Sequence, residues 1–60
     1  MYSNLEFIKN EGPVYMWRIK STGFYRVTTP NSITTFKNRN DAEDVYRYYV
    51  PVYREMMEEV

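Results

Sequence analysis

The chain has 60 residues, no Cys and no His, and its 8 Lys and Arg balance 8 Asp and Glu. These counts exclude a disulfide framework, a thiolate nucleophile, a Cys-bearing zinc site and an imidazole general base. Zero net charge excludes both a basic nucleic-acid tail and an acidic tail. Residues 1–60 form a single small domain of globular composition, with 43% hydrophobic residues and only 2 Gly and 3 Pro. A domain this small buries only about 60% of the surface its unfolded chain exposes.

Residues 1–12 form an N-terminal arm or a short strand. Ser3-Asn4-Leu5-Glu6 matches a helix capping box, but so short a helix is marginal, and a strand from Leu5 to Lys9 is the preferred reading. Asn10-Glu11-Gly12-Pro13 then turns the chain. The meander follows over residues 14–37. Val14 to Lys20 alternates, with Tyr15, Trp17 and Ile19 on one face and Met16, Arg18 and Lys20 on the other. Ser21-Thr22-Gly23 is a turn, Phe24 to Thr29 a strand, Thr29-Pro30-Asn31-Ser32 a turn, and Ile33 to Lys37 a strand.

A three-residue loop at Ser21-Thr22-Gly23 pairs Ile19 with Tyr25, Arg18 with Arg26 and Trp17 with Val27. That register puts Tyr15, Trp17, Ile19, Tyr25 and Val27 on one apolar face, turned toward a covering helix. In the second hairpin Val27 meets Thr34 and Tyr25 meets Phe36. The outer face then holds Met16, Arg18, Lys20, Phe24, Arg26, Thr28, Ile33, Thr35 and Lys37.

A long helix is expected over residues 40–59, capped by Asn40, with Asp41 and Glu43 at its positive end. Ala42, Val45, Tyr46, Tyr49, Val52, Tyr53, Met56, Met57 and Val60 form its apolar stripe. Pro51 interrupts the pattern without shifting its phase. The reading is a kinked helix, or two collinear segments with Pro51 in the first turn of the second. The expected fold is therefore α+β: a small antiparallel three- to four-stranded meander with one long, Pro51-kinked C-terminal helix packed on one face.

The balanced charge is unevenly distributed. Residues 1–40 carry six cations against two acids, and residues 41–60 carry two cations against six acids. The start of the chain has no basic or apolar signal region, and no stretch approaches the roughly 20 apolar residues of a membrane span. A cytoplasmic location without membrane association is expected. No glycine-rich phosphate loop, nucleophile elbow, calcium loop or zinc-protease motif occurs. The carboxylates Asp41, Glu43 and Asp44 are accounted for as helix-start charges. No enzyme activity, cofactor or metal is expected.

The functional expectation is a small non-enzymatic binding protein, a regulator or inhibitor of a host or cellular protein, of the phage or mobile-element accessory type. Its 7 Tyr serve either to fill a small core or to form a contact surface. Candidate contact residues are Arg18, Lys20, Phe24, Arg26 and Lys37 on the sheet, and Tyr48, Tyr53 and Met57 on the helix. A homodimer through the 3,4-spaced residues Ala42, Val45, Tyr49, Val52 and Met56 is a further expectation. The alternative partner is nucleic acid. Three strands followed by a helix that starts near Phe36 and Asp41-Ala42-Glu43 resemble the arm-type DNA-binding domain of tyrosine recombinases. That resemblance, over roughly residues 14–50, implies a sheet that enters the major groove. Phosphate contacts dominate DNA affinity, and a pI of about 6.2 runs against it.

Overall fold

Three tight turns fold the first part of the chain into a meander. The computed structural model describes the backbone of residues 4–58 and the side chains of residues 4–55. The elements are β1 (Leu5–Glu11), β2 (Val14–Ile19), β3 (Tyr25–Thr29), β4 (Ser32–Phe36) and α1 (Arg39–Glu58). The strands form one antiparallel sheet in the order β1-β2-β3-β4. The helix crosses β2, β3 and β4 on one side. This is the expected α+β meander, with residues 5–11 taking the strand rather than the helix alternative. Ser3 lies outside the described residues.

Each turn follows from its residues. Gly12 has φ 57° and Pro13 follows it. A two-residue hairpin loop with positive φ first and negative φ second is the II′ pattern, whose twist suits flanking strands. At the β3–β4 turn, Thr29 Oγ1 accepts from the amides of Asn31 and Ser32 at 3.2 and 3.0 Å, which fixes the Pro30-Asn31 loop. The expected pairing of Val27 with Thr34 and Tyr25 with Phe36 is observed.

The β2–β3 turn differs from expectation, and the difference inverts the sheet. Its loop has four residues, Lys20 to Gly23. The Ile19 amide donates to the Phe24 carbonyl at 2.8 Å, and the Gly23 amide donates to the Ile19 carbonyl at 2.7 Å. Gly23 closes the loop with φ 76°, a left-handed conformation that glycine adopts without penalty. The extra residue shifts the pairing by one: Met16 meets Val27, Trp17 meets Arg26 and Arg18 meets Tyr25. Because side chains alternate with period two, this slip exchanges the faces of β2.

The core accordingly holds Val14, Met16 and Val27 from the sheet and Ala42, Tyr46 and Val50 from α1. Met16 and Val14 are wholly buried. Burying a side chain such as that of Met16 contributes roughly 1.5–3 kcal/mol. Ile8, Tyr25, Phe36, Val45, Tyr49 and Tyr53 pack around this centre. The expected core face of β2, with Tyr15 and Trp17, is instead the face with no helix over it. Arg18, expected on the outer face, shares the face that carries the helix and pairs with Glu6 at 3.4 Å.

A bulge reconciles β1 with this arrangement. Phe7 pairs with Trp17 and Lys9 with Met16, leaving Ile8 without a ladder partner. Ile8 packs on the core, while Lys9 reaches Glu43 of the helix at 2.8 Å and lies 4.9 Å from the Tyr46 ring centroid. Glu11 pairs with Arg54 further along α1. The helix is thus tied to the β1 side of the sheet by ion pairs and to the centre by apolar packing.

The helix begins at Arg39, and its cap lies two residues before the expected one. The Ala42 amide donates to the Asn38 carbonyl at 3.2 Å, so Asn38 rather than Asn40 is the capping residue. Pro51 lies within one continuous helix. Its missing amide removes the usual partner of the Arg47 carbonyl, and the break falls where Pro51 and Arg47 are both exposed rather than against the sheet. The apolar stripe runs through Ala42, Tyr46 and Val50, and Val52 is exposed. Since Ala42, Val45 and Tyr49 pack on their own sheet, the expected helix-to-helix seam is occupied within the chain. The side chains of Met56 and Met57, and Val60 altogether, lie outside the described residues.

Candidate binding face

The uncovered side of the sheet follows from the register just described. Alternation places Phe7 and Asn10 of β1, Tyr15 and Trp17 of β2, Arg26 and Thr28 of β3, and Ile33 and Thr35 of β4 there. Phe7, Tyr15 and Ile33 are exposed, Ile33 to 70%.

Three aromatics form one cluster on this face. Tyr15 and Trp17 stack with ring centroids 5.8 Å apart at 16°. Phe7 meets Trp17 edge-on at 5.7 Å and Tyr15 at 6.4 Å. Such pairs contribute about 0.5–1.5 kcal/mol beyond their burial. The indole Nε1 of Trp17 donates to Thr28 Oγ1 across the strands at 3.1 Å, which fixes the ring plane. The cluster is therefore a set platform and not a group of loose side chains.

Arg26 stands beside that platform, opposite Trp17 on one strand and Thr35 on the other. Its Nε is buried and has no hydrogen-bond partner among the described residues. The four ion pairs among those residues use Lys9, Arg18, Arg39 and Arg54, not Arg26. The open face carries no carboxylate along its described strands. The acids on the sheet, Glu6 and Glu11, are spent on Arg18 and Arg54. On the helix, Glu43 is held below the usual carboxylate range, first by the hydrogen bond from Lys9 and further by Arg39, against the opposing effect of burial.

The remaining candidates are scattered. Lys20 is exposed in the β2–β3 turn and Phe24 is half-buried just before β3. Lys37 is exposed in the bend between β4 and α1. Tyr48 is 67% exposed on the far side of the helix and meets Tyr49 edge-on. Tyr53 is not a free contact residue, because it packs on the core and its hydroxyl accepts from Asn31 at 3.2 Å. Of the residues read from the sequence as a contact surface, only Arg26 lies in the middle of the open face. Phe7, Tyr15 and Trp17 were missed because the longer turn had not been anticipated. A glycine at position 23 suits the end of a three-residue loop as well as that of a four-residue loop, so the turn residues do not signal the longer form.

No pocket opens among the described residues, and no cluster of His, Asp or Glu there is arranged to hold a metal ion. No helix among them is long and apolar enough to cross a membrane. Compared with known proteins, the chain matches no family model, no curated protein sequence and no solved structure.

Proposed function

We propose that this chain is a non-enzymatic binding protein, a regulator or inhibitor that lays its open sheet face against a partner protein. The observation behind this reading is the ordered Phe7–Tyr15–Trp17 cluster beside an Arg26 that makes no ion pair among the described residues and whose Nε has no hydrogen-bond partner there. Trp, Tyr and Arg are the residues that most often dominate protein–protein binding energy. The chemistry calls for a partner segment with aliphatic side chains to cover the aromatic platform and an Asp or Glu to reach Arg26. A flat face suits such a segment better than it suits a small substrate, which needs a concave site.

The reading is tested by affinity capture from an extract of the native source. Three immobilised forms are compared: wild type, Phe7→Glu with Arg26→Glu, and Tyr48→Glu on the far side of the helix. A protein captured by wild type and Tyr48→Glu but lost from the double variant, with nuclease present, supports it. Capture that survives in the folded double variant overturns it. Capture abolished by nuclease, or duplex DNA binding that weakens steeply with salt, replaces it with the nucleic-acid reading.

A further inference from the structure

The two edges of the sheet are unequal. The β1 edge carries Glu6, Lys9 and Glu11 and is broken by the bulge at Ile8. Charges and bulges are the devices that stop an edge strand from pairing with another chain. The β4 edge is Ser32-Ile33-Thr34-Thr35-Phe36, with no charge, no proline and no break in its pairing with β3. Its residues from Ile33 to Phe36 all favour strands. It also carries Ile33, which at 70% exposure exceeds every other exposed large hydrophobic side chain described.

We propose that β4 is a dimerisation edge whose occupant is β4 of a second copy of this chain. Two features favour a second copy. Antiparallel self-pairing centred on Thr34 is free of charge conflict: Thr34 meets Thr34 of the partner subunit, Ile33 meets the partner's Thr35, and Ser32 meets the partner's Phe36. Threonine and β-branched pairs of this kind stabilise antiparallel strands. The guarded β1 edge also blocks head-to-tail β4–β1 addition, which would propagate into fibres, so pairing closes as a twofold dimer. The product is one eight-stranded sheet with both helices on the same side. The two open faces become continuous, and Ile33 lies at their junction. This inference does not depend on the identity of any partner protein.

Sedimentation velocity and cysteine cross-linking test it on the full chain. At about 100 µM, a dimer with a Kd of about 10 µM is mostly associated. Wild type is expected to sediment as a dimer at that concentration, and Ile33→Lys as a monomer with an unchanged circular dichroism spectrum. The chain has no native Cys, so Thr34→Cys gives an unambiguous probe. Directly opposed residues in an antiparallel pair lie about 4.5–5.5 Å apart at Cα, within disulfide reach. Mild oxidation is expected to link Thr34→Cys into a dimer and to leave Asn10→Cys, on the β1 edge, monomeric. A wild-type monomer at about 100 µM, a dimer unaffected by Ile33→Lys, or equal cross-linking of the two cysteine variants overturns the proposal.

Discussion

Replacing Met16 and Trp17 separately with Ala asks which face of β2 the helix covers. The two residues are neighbours in the chain, and the structure gives them opposite surroundings. Met16 is wholly buried, in a core walled by Val14, Val27, Ala42, Tyr46 and Val50. Truncating a buried Met to Ala costs roughly 2–5 kcal/mol, the higher values where the walls cannot collapse. At about 0.05–0.15 kcal/mol per residue, a chain this size has a total stability of roughly 3–9 kcal/mol. Met16→Ala is therefore expected to be largely unfolded, or close to it. Trp17→Ala removes aromatic contacts worth about 0.5–1.5 kcal/mol per pair and a hydrogen bond to Thr28 worth about 1 kcal/mol. No helix side chain loses a neighbour. Trp17→Ala is expected to remain folded, with a lowered midpoint. Urea denaturation followed by far-ultraviolet circular dichroism compares the two on one scale, since it does not need the indole. A stable Met16→Ala beside an unfolded Trp17→Ala would refute the assigned register.

Three further outcomes follow from single sites. Tyr46→Phe is expected to be neutral or to stabilise by about 1 kcal/mol at pH 7, because the Tyr46 hydroxyl is buried with no hydrogen-bond partner among the described residues. Burial also raises the Tyr46 phenol, so above pH about 10 wild type is expected to lose more stability than Tyr46→Phe does. A Tyr46→Phe variant destabilised by more than about 1 kcal/mol in denaturant melts would show that the hydroxyl has a partner. Glu43, whose pKa is lowered, contributes stability above its unfolded pKa that is lost as pH falls through its folded value. The stability gap between wild type and Glu43→Gln should accordingly be present at pH 7 and close below pH about 4; a gap that persists at pH 2 contradicts the ion-pair account. Gly23→Ala meets no atom within 4 Å of its new Cβ, so its cost is the left-handed backbone alone, about 1–2 kcal/mol, with Gly23→Asn costing less. Equal stabilities of the glycine and alanine forms in urea would argue against the four-residue loop.

Much of the architecture was legible in the residues. Period-two alternation marked the strands, Pro30-Asn31 set the second register, and the 3.6-residue pattern from Ala42 marked the helix and its inward side. The sidedness of the sheet was not legible from alternation, because β2 is apolar on both faces: Val14 and Met16 on one, Tyr15, Trp17 and Ile19 on the other. Only the loop length decides between them, and Lys20 belongs to the loop. Val50 and Val52 posed a similar tie on the helix, flanking the stripe from either side, and the sheet takes Val50. The open face inherits the first tie. Arg26 was placed correctly because β3 keeps its orientation, whereas Arg18 moved to the helix side with β2.

The central claim is that α1 covers Met16 and leaves the Phe7–Tyr15–Trp17 cluster open. Proton–proton Overhauser contacts in the native protein test it most directly, since the chain has one Trp. The account predicts contacts from the Met16 methyl to Ala42 and Tyr46, and from the Trp17 indole to Phe7 and Tyr15 but to no helix residue. Contacts between the Trp17 indole and Ala42 or Tyr46, with the Met16 methyl silent toward α1, would contradict it.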